Sequence, residues 1–232
     1  MDGGNLQARL AAARERIALA ALSAGRPASA VRLVAASKTV APEVMAELVE
    51  LGVRYFGENR VEEAEVKLPA VRRLLSEAAY RACRWCLIGH LQSRKAGRAI
   101  DLFDELHAVD SLHLAQRLDR LAAGREPIPI LLEINTSGEE SKYGLAAARW
   151  PYDDQERETL FAQVEGILAL RHVRVLGLMT VGPLAADPEC VRPAFRRLRS
   201  LRDALAERWP EHAWSELSMG MSDDYAVAIE EG

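Results

Sequence analysis

Two periods alternate along the chain. Short runs that are apolar almost throughout are separated by longer stretches in which apolar residues recur every three or four positions. The short runs are "VRLVAAS" (31–37), "VRYFG" (53–57), "WCLIG" (85–89), "ELHAVD" (105–110), "IPILLEINT" (128–136), "VRVLGLMTV" (173–181) and "WSELSMG" (214–220). A strand that is apolar on both faces is covered on both faces, so these runs predict a parallel sheet with helices as right-handed crossovers. "PEVMAELVELG" has the form of one such helix, with Pro42 in the first turn and Gly52 at the end. At the N-terminus, Leu6, Leu10, Ala13, Ile17 and Ala20 share one helical face and Gly25 with Pro27 ends the segment. A helix within residues 1–25, packed on the rest, is expected there in preference to a targeting peptide.

Seven strand–helix units fit a (β/α)8 TIM-type barrel better than an open doubly wound sheet, because no GxGxxG follows the first strand. No Ser/Gly/Pro-rich tract divides the chain, so one domain over residues 1–232 is expected. The eighth strand of the barrel is not found before Gly232 and is expected to be missing from this chain, with the natural product continuing into it. In such barrels function gathers where strands end and helices begin. There the sequence places Lys38, Glu58 and Asn59, His90 and Gln92, Asp110, Asn135 to Ser137, Thr180, and Ser218 to Ser222.

Charge and cysteine content narrow the classes. With 34 acidic and 30 basic residues the net charge is −4, and the arginines are scattered, which argues against nucleic acid as a partner. No apolar run reaches the length of a membrane span, so no membrane association and a cytoplasmic location are expected. Three cysteines make no disulfide framework. Cys83 and Cys86 have a knuckle spacing, but residues three apart on a strand point to opposite faces and no second CxxC follows, so no metal site is expected.

The lysines change the picture most. Only Lys38, Lys67, Lys95 and Lys142 occur among the 30 basic residues. Arginine replaces lysine freely on a solvated surface, but it cannot lose its proton and attack an aldehyde. Lys38 closes the first strand, where apolar strand ends are expected to desolvate its amine and make it available for a Schiff base. The alternative for Lys38 is an ion pair with Glu58. Lys67 is read as an ordinary surface lysine. At the far end, "SELSMGMSDDYAVAIEEG" places Gly220 in a turn and Ser222 as an N-cap, with Asp223 and Asp224 in the first helical turn; the free amides of such a turn suit a phosphate or simply cap a helix.

Six segments in order, "LVAASKTV", "YFGENRVEEAEVK", "LIGHLQSRKAG", "EINTSGEESKYGL", "VLGLMTVGP" and "LSMGMSDDYAVAIEEG", resemble the signatures of the pyridoxal phosphate homeostasis proteins from Arg32 to Gly232. That family's barrel is similar to the N-terminal domain of alanine racemase. The resemblance implies pyridoxal 5′-phosphate (PLP) as cofactor, a Schiff base on Lys38, Asn59 beside the cofactor, and Met179 and Thr180 lining the pocket. It also implies phosphate binding by Ser218, Met219, Gly220, Met221 and Ser222. Two departures stand out: Arg94 replaces the Asn that many relatives carry, and the family's closing Arg-x-Gly strand is absent. The implied function is a PLP carrier that supplies apo-enzymes, with no turnover. Its rivals are a racemase or decarboxylase of the same fold type, a lysine-dependent aldolase, and a plain interaction module. A racemase needs a second acid/base group on the opposite face of the cofactor, for which Tyr55 and Tyr143 are the tyrosines nearest strand ends.

Overall fold

The computed structural model describes residues 3–183 and 187–232; Met1 and Asp2, within the expected N-terminal segment, lie outside the described residues. All seven expected strands form: β1 (Val34–Ala36), β2 (Tyr55–Glu58), β3 (Arg84–Leu87), β4 (Glu105–Val109), β5 (Ile128–Asn135), β7 (Val173–Met179) and β8 (Glu216–Ser218), with a two-residue β6 (Leu145–Ala146) beside β5. The helices are α1 (Gly3–Ser23), α2 (Pro42–Glu50), α3 (Val61–Leu74), α4 (Glu77–Arg81), α5 (Ala96–Leu102), α6 (Leu112–Leu121), α7 (Asp154–Leu168), α8 (Arg192–Arg208) and α9 (Tyr225–Glu231).

Every pairing is parallel and the sheet order is β1-β2-β3-β4-β5-β7-β8, so all strands deliver their C-terminal ends to one rim. This is the curled α/β sheet of a TIM-type barrel. As expected, among the described residues no further strand closes it between β8 and β1. The curl brings those two edges close enough for Arg32, two residues before β1, to reach Glu216 of β8 at 3.1 Å.

Alternation along the strands sorts the side chains into two environments. Phe56, Trp85, Leu87, Leu106, Ile130, Leu132 and Ile134 join the helix residues Met45, Val49, Leu68, Leu114, Leu118, Leu160 and Leu198 in one core cluster between sheet and helices. Cys86, Glu105, His107, Leu131 and Glu133 alternate with them, are buried, and so occupy the concave interior. This interior is polar where a fully closed small barrel is filled by branched apolar residues. Helix α1 meets α9 through Ile17, Ala20 and Ala21 against Ile229. Among the described residues no helix is long and apolar enough to cross a membrane.

Candidate site at the rim of the sheet

Lys38 follows β1 in a two-residue turn, and its placement differs from the expected one. The side chain is exposed, not desolvated, and it makes no hydrogen bond or ion pair among the described residues. Glu58 is not its partner. That carboxylate, 1% exposed, receives the Lys67 ammonium at 3.0 and 3.1 Å and the Ser37 hydroxyl at 2.8 Å. Lys67 is therefore no surface lysine: it is 7% exposed and also donates to Glu63 at 2.6 Å. The helical period carried this signal, since Lys67 lies on the stripe of Val61, Ala64, Leu68 and Val71 that α3 buries. Lys95 pairs with Glu62 at 2.8 Å and Lys142 with Glu139 at 3.0 Å, which leaves Lys38 as the one lysine without an ionic partner among the described residues.

Asn59 follows β2, half-buried, and its Oδ1 is shielded from solvent without any donor. It is held by close backbone contact: a Cβ on Gly89, at the end of β3, would lie 2.4 Å from the Asn59 carbonyl oxygen, so only glycine fits there. Met179 and Thr180 close β7, at 6% and 3% exposure. The Thr180 hydroxyl donates to the Ile134 carbonyl at 2.7 Å and meets the Thr136 hydroxyl at 3.1 Å, which fixes the wall between β5 and β7. Its amide donates to the Ser218 carbonyl at 3.0 Å, placing the end of β8 beside it.

Beyond β8 the expected capping is corrected. Ser222 is exposed and is not an N-cap; the helix starts at Tyr225, after a turn in which the Asp224 and Tyr225 amides donate to the Met221 carbonyl at 3.1 and 2.9 Å. Asp224, 6% exposed, stands at the N-cap position without capping the helix by its side chain; its carboxylate instead accepts from the Met221 amide and closes the turn ahead of α9. Gly220 adopts φ +90°, and among the described residues neither its amide nor that of Ser222 has an acceptor. Ser218 and Met219 are half-buried and Met221 is exposed.

One interior residue below the rim escaped sequence reading. Glu133 lies at an interior position of β5, 7% exposed, with Oε2 lacking a donor. Burial, and secondarily the nearby Asp110 carboxylate, push its acid up to about 7. The alternation of "ILLEIN" put Glu133 opposite Leu132 and Ile134, which is the signal an apolar strand reading passed over. Asp110 pairs with His90 Nδ1 at 3.1 Å, and the His90 ring stacks on Tyr143 at 3.6 Å between centroids. Tyr55 is at the other end of its strand, under the Arg32 guanidinium, away from the rim.

The cysteines separate as strand geometry requires. Cys83 Sγ donates to the Ala79 carbonyl, whereas Cys86 Sγ points to Glu105 Oε2 at 3.9 Å, where His107 Nε2 also lies at 2.9 Å. Burial foremost, and then the Glu105 charge, raise the Cys86 thiol far above its ordinary range, so it stays protonated.

Among the described residues the rim thus holds an unpartnered amine, two shielded oxygens without donors, and two amides without acceptors. Those are the complements of an aldehyde, of a ring with polar substituents and of a phosphate, so the residues present fit PLP. Residues 9–230 match the family described as alanine racemase, N-terminal domain. The chain is 40% identical over 225 residues to the pyridoxal phosphate homeostasis protein of Aquifex aeolicus, covering 97% of this chain and 91% of that one. In structure it is similar to a protein of Bifidobacterium adolescentis, with TM-score 0.84, 33% identity and coverage of 100% and 93% of the two chains. It is also similar to PipY of Synechococcus elongatus, solved with PLP bound, with TM-score 0.74, 34% identity and coverage of 94% and 93%. On this combined likeness of sequence and fold, the chain belongs to the pyridoxal phosphate homeostasis proteins, on the framework of the alanine racemase N-terminal domain.

Proposed function

We propose that this chain binds PLP at the rim through a Schiff base on Lys38 and acts as a cytoplasmic carrier that yields the cofactor to apo-enzymes, without a turnover reaction of its own. The observation that carries this reading is that, among the described residues, Lys38 is the one lysine free of an ionic partner while lying at the strand-end rim. The cofactor would supply an electrophilic carbon. In this assignment Asn59 contacts the cofactor's polar ring substituents, Met179 and Thr180 form the wall, and Ser218 with the Met219–Ser222 turn takes the phosphate. The bound PLP of PipY supports the cofactor, and the homeostasis role of the relatives supports the absence of turnover.

Exposure of Lys38 suits a carrier better than an enzyme. A buried imine is protected from water and commits its substrate to reaction, whereas an exposed one exchanges with water or with another amine and lets the cofactor leave. Free thiols at Cys83, Cys86 and Cys190 agree with a reducing compartment.

The test is borohydride reduction of the purified chain loaded with PLP, followed by peptide mapping. Pyridoxyl should appear on Lys38, and Lys38→Ala and Lys38→Arg should abolish it equally, since the requirement is a deprotonatable amine and not a charge. Modification of Lys142 or Lys95 in place of Lys38 overturns the assignment. A colourless protein, trapped only with an added carbonyl substrate, would favour the aldolase reading.

A further inference from the structure

The backbone on both sides of Lys38 is gripped by groups that make no bond to its side chain. Before it, the Ser37 carbonyl accepts from the Lys67 ammonium at 2.7 Å, and the Ser37 amide donates to the Gly57 carbonyl at 2.9 Å. After it, the Thr39 amide donates to Glu63 Oε1 at 2.7 Å, the same oxygen that Lys67 holds at 2.6 Å. Thr39 itself stands at φ +61°, the only non-glycine residue with positive φ among the described residues. For a β-branched side chain this region is strained, and such strain persists only where the surroundings enforce it.

We propose that Glu63, oriented by Lys67, is a positioning residue that holds Thr39 in its left-handed conformation and thereby aims Lys38 into the rim. The inference rests on the assignment of Lys38 as the PLP-binding lysine. Glu63 is suited to the task. It sits in the first turn of α3, where a carboxylate is favoured, and its two strong donors keep it ionised, Lys67 contributing first and the Thr39 amide second. Lys67 in turn is fixed by Glu58, so the chain of contacts runs from the buried end of β2 to the turn that carries Lys38. The Ser37 and Thr39 contacts would be pointless for a lysine that merely sat in solvent, because an exposed two-residue turn relaxes without such support.

Three variants of the full chain test this against the parent: Glu63→Gln, which keeps an acceptor for the Thr39 amide, Glu63→Leu, which does not, and Thr39→Gly, to which left-handed φ costs nothing. The readouts are the rate of borohydride-trappable PLP on Lys38, the visible circular dichroism of bound PLP, and thermal melting. Glu63→Leu should slow trapping about tenfold or more, as expected for losing a hydrogen bond to a charged group, and should diminish the visible dichroism. Glu63→Gln should stay within about threefold of the parent. In the Thr39→Gly background, Glu63→Leu should cost no more than about twofold, because the conformation no longer needs enforcing. A general loss of stability would lower melting in both backgrounds alike and leave no such difference. The proposal is overturned if Glu63→Leu traps and rotates light as the parent does, if Glu63→Gln falls as far as Glu63→Leu, or if the Thr39→Gly background gives no relief. Pyridoxyl on another lysine of the unaltered chain would instead overturn the Lys38 assignment itself.

Discussion

Glu133 shows how a single residue tied to the interior of the sheet sets a pH dependence for the whole protein. Its acid is raised from 4.5 to about 7, chiefly by burial, so between those values the folded state holds a proton that the unfolded state has released. Stability therefore falls as pH rises through that window and stays reduced above it, the reverse of a salt-bridged carboxylate. Glu133→Gln should remove the slope and stabilise the protein by up to about 3 kcal/mol at pH 8 with little effect near pH 4.5. Chemical denaturation at the two pH values checks this, and an unchanged slope would show that another group carries it. At this scale the sequence was half legible. Lys38 could be singled out because arginine cannot form an imine, but its exposure could not, since the depth of a strand end depends on how far its neighbours extend. Lys67 was misread for the opposite reason: its charge suggested solvent, while the two carboxylates that compensate it lie at positions 58 and 63, and only folding shows that both meet it.

Elements were more legible than residues. The seven longer strands could be placed because each lies in a mostly apolar run bounded by turn residues, whereas β6, with only Leu145 and Ala146, is too short to show any period. The start of α9 was mistaken because Ser222 is a good capping residue in sequence, whereas Asp224, read as part of the first helical turn, directs its buried carboxylate to the Met221 amide and so holds the chain in a turn until Tyr225. This has a consequence for the β8–α9 connection. Ser218→Ala with Ser222→Ala removes hydroxyls from the proposed phosphate turn without touching the turn's backbone, and should weaken PLP about tenfold while leaving pyridoxal nearly unaffected. Gly220→Val should weaken both ligands, because a Cβ there would lie 2.8 Å from the Ala228 Cβ and the Tyr225 Cα and would push α9 away. Titration of both ligands against each variant distinguishes the two kinds of loss; equal weakening of PLP and pyridoxal by the serine changes would remove the turn from the phosphate assignment.

For the molecule as a whole, the strand order follows from the alternation of strands and helices, but the curl that brings β1 near β8 does not, because twist accumulates over seven strands and leaves no local mark. The Arg32–Glu216 pair at that seam is 39% and 30% exposed, and such a pair contributes at most about 1 kcal/mol. The seam should therefore be the first part of the sheet to open. Amides of β1 and β8 are expected to exchange with deuterium faster than those of β4 and β5 at the centre, by a margin that narrows when PLP is bound; uniform exchange across the sheet would show that the seam is closed in solution. The distribution of amines over the molecule has a further outcome. With Lys67 buried and Lys95 and Lys142 engaged by carboxylates, Lys38 is the one lysine among the described residues that offers an accessible, uncommitted ammonium to a small electrophile. Reducing sugars and other metabolic monoaldehydes that react with lysine amines should thus compete for the same nitrogen as PLP, making the empty protein more prone to glycation at Lys38 than the loaded one, and making occupancy of this amine a chemical record of how much cofactor the cell had to spare.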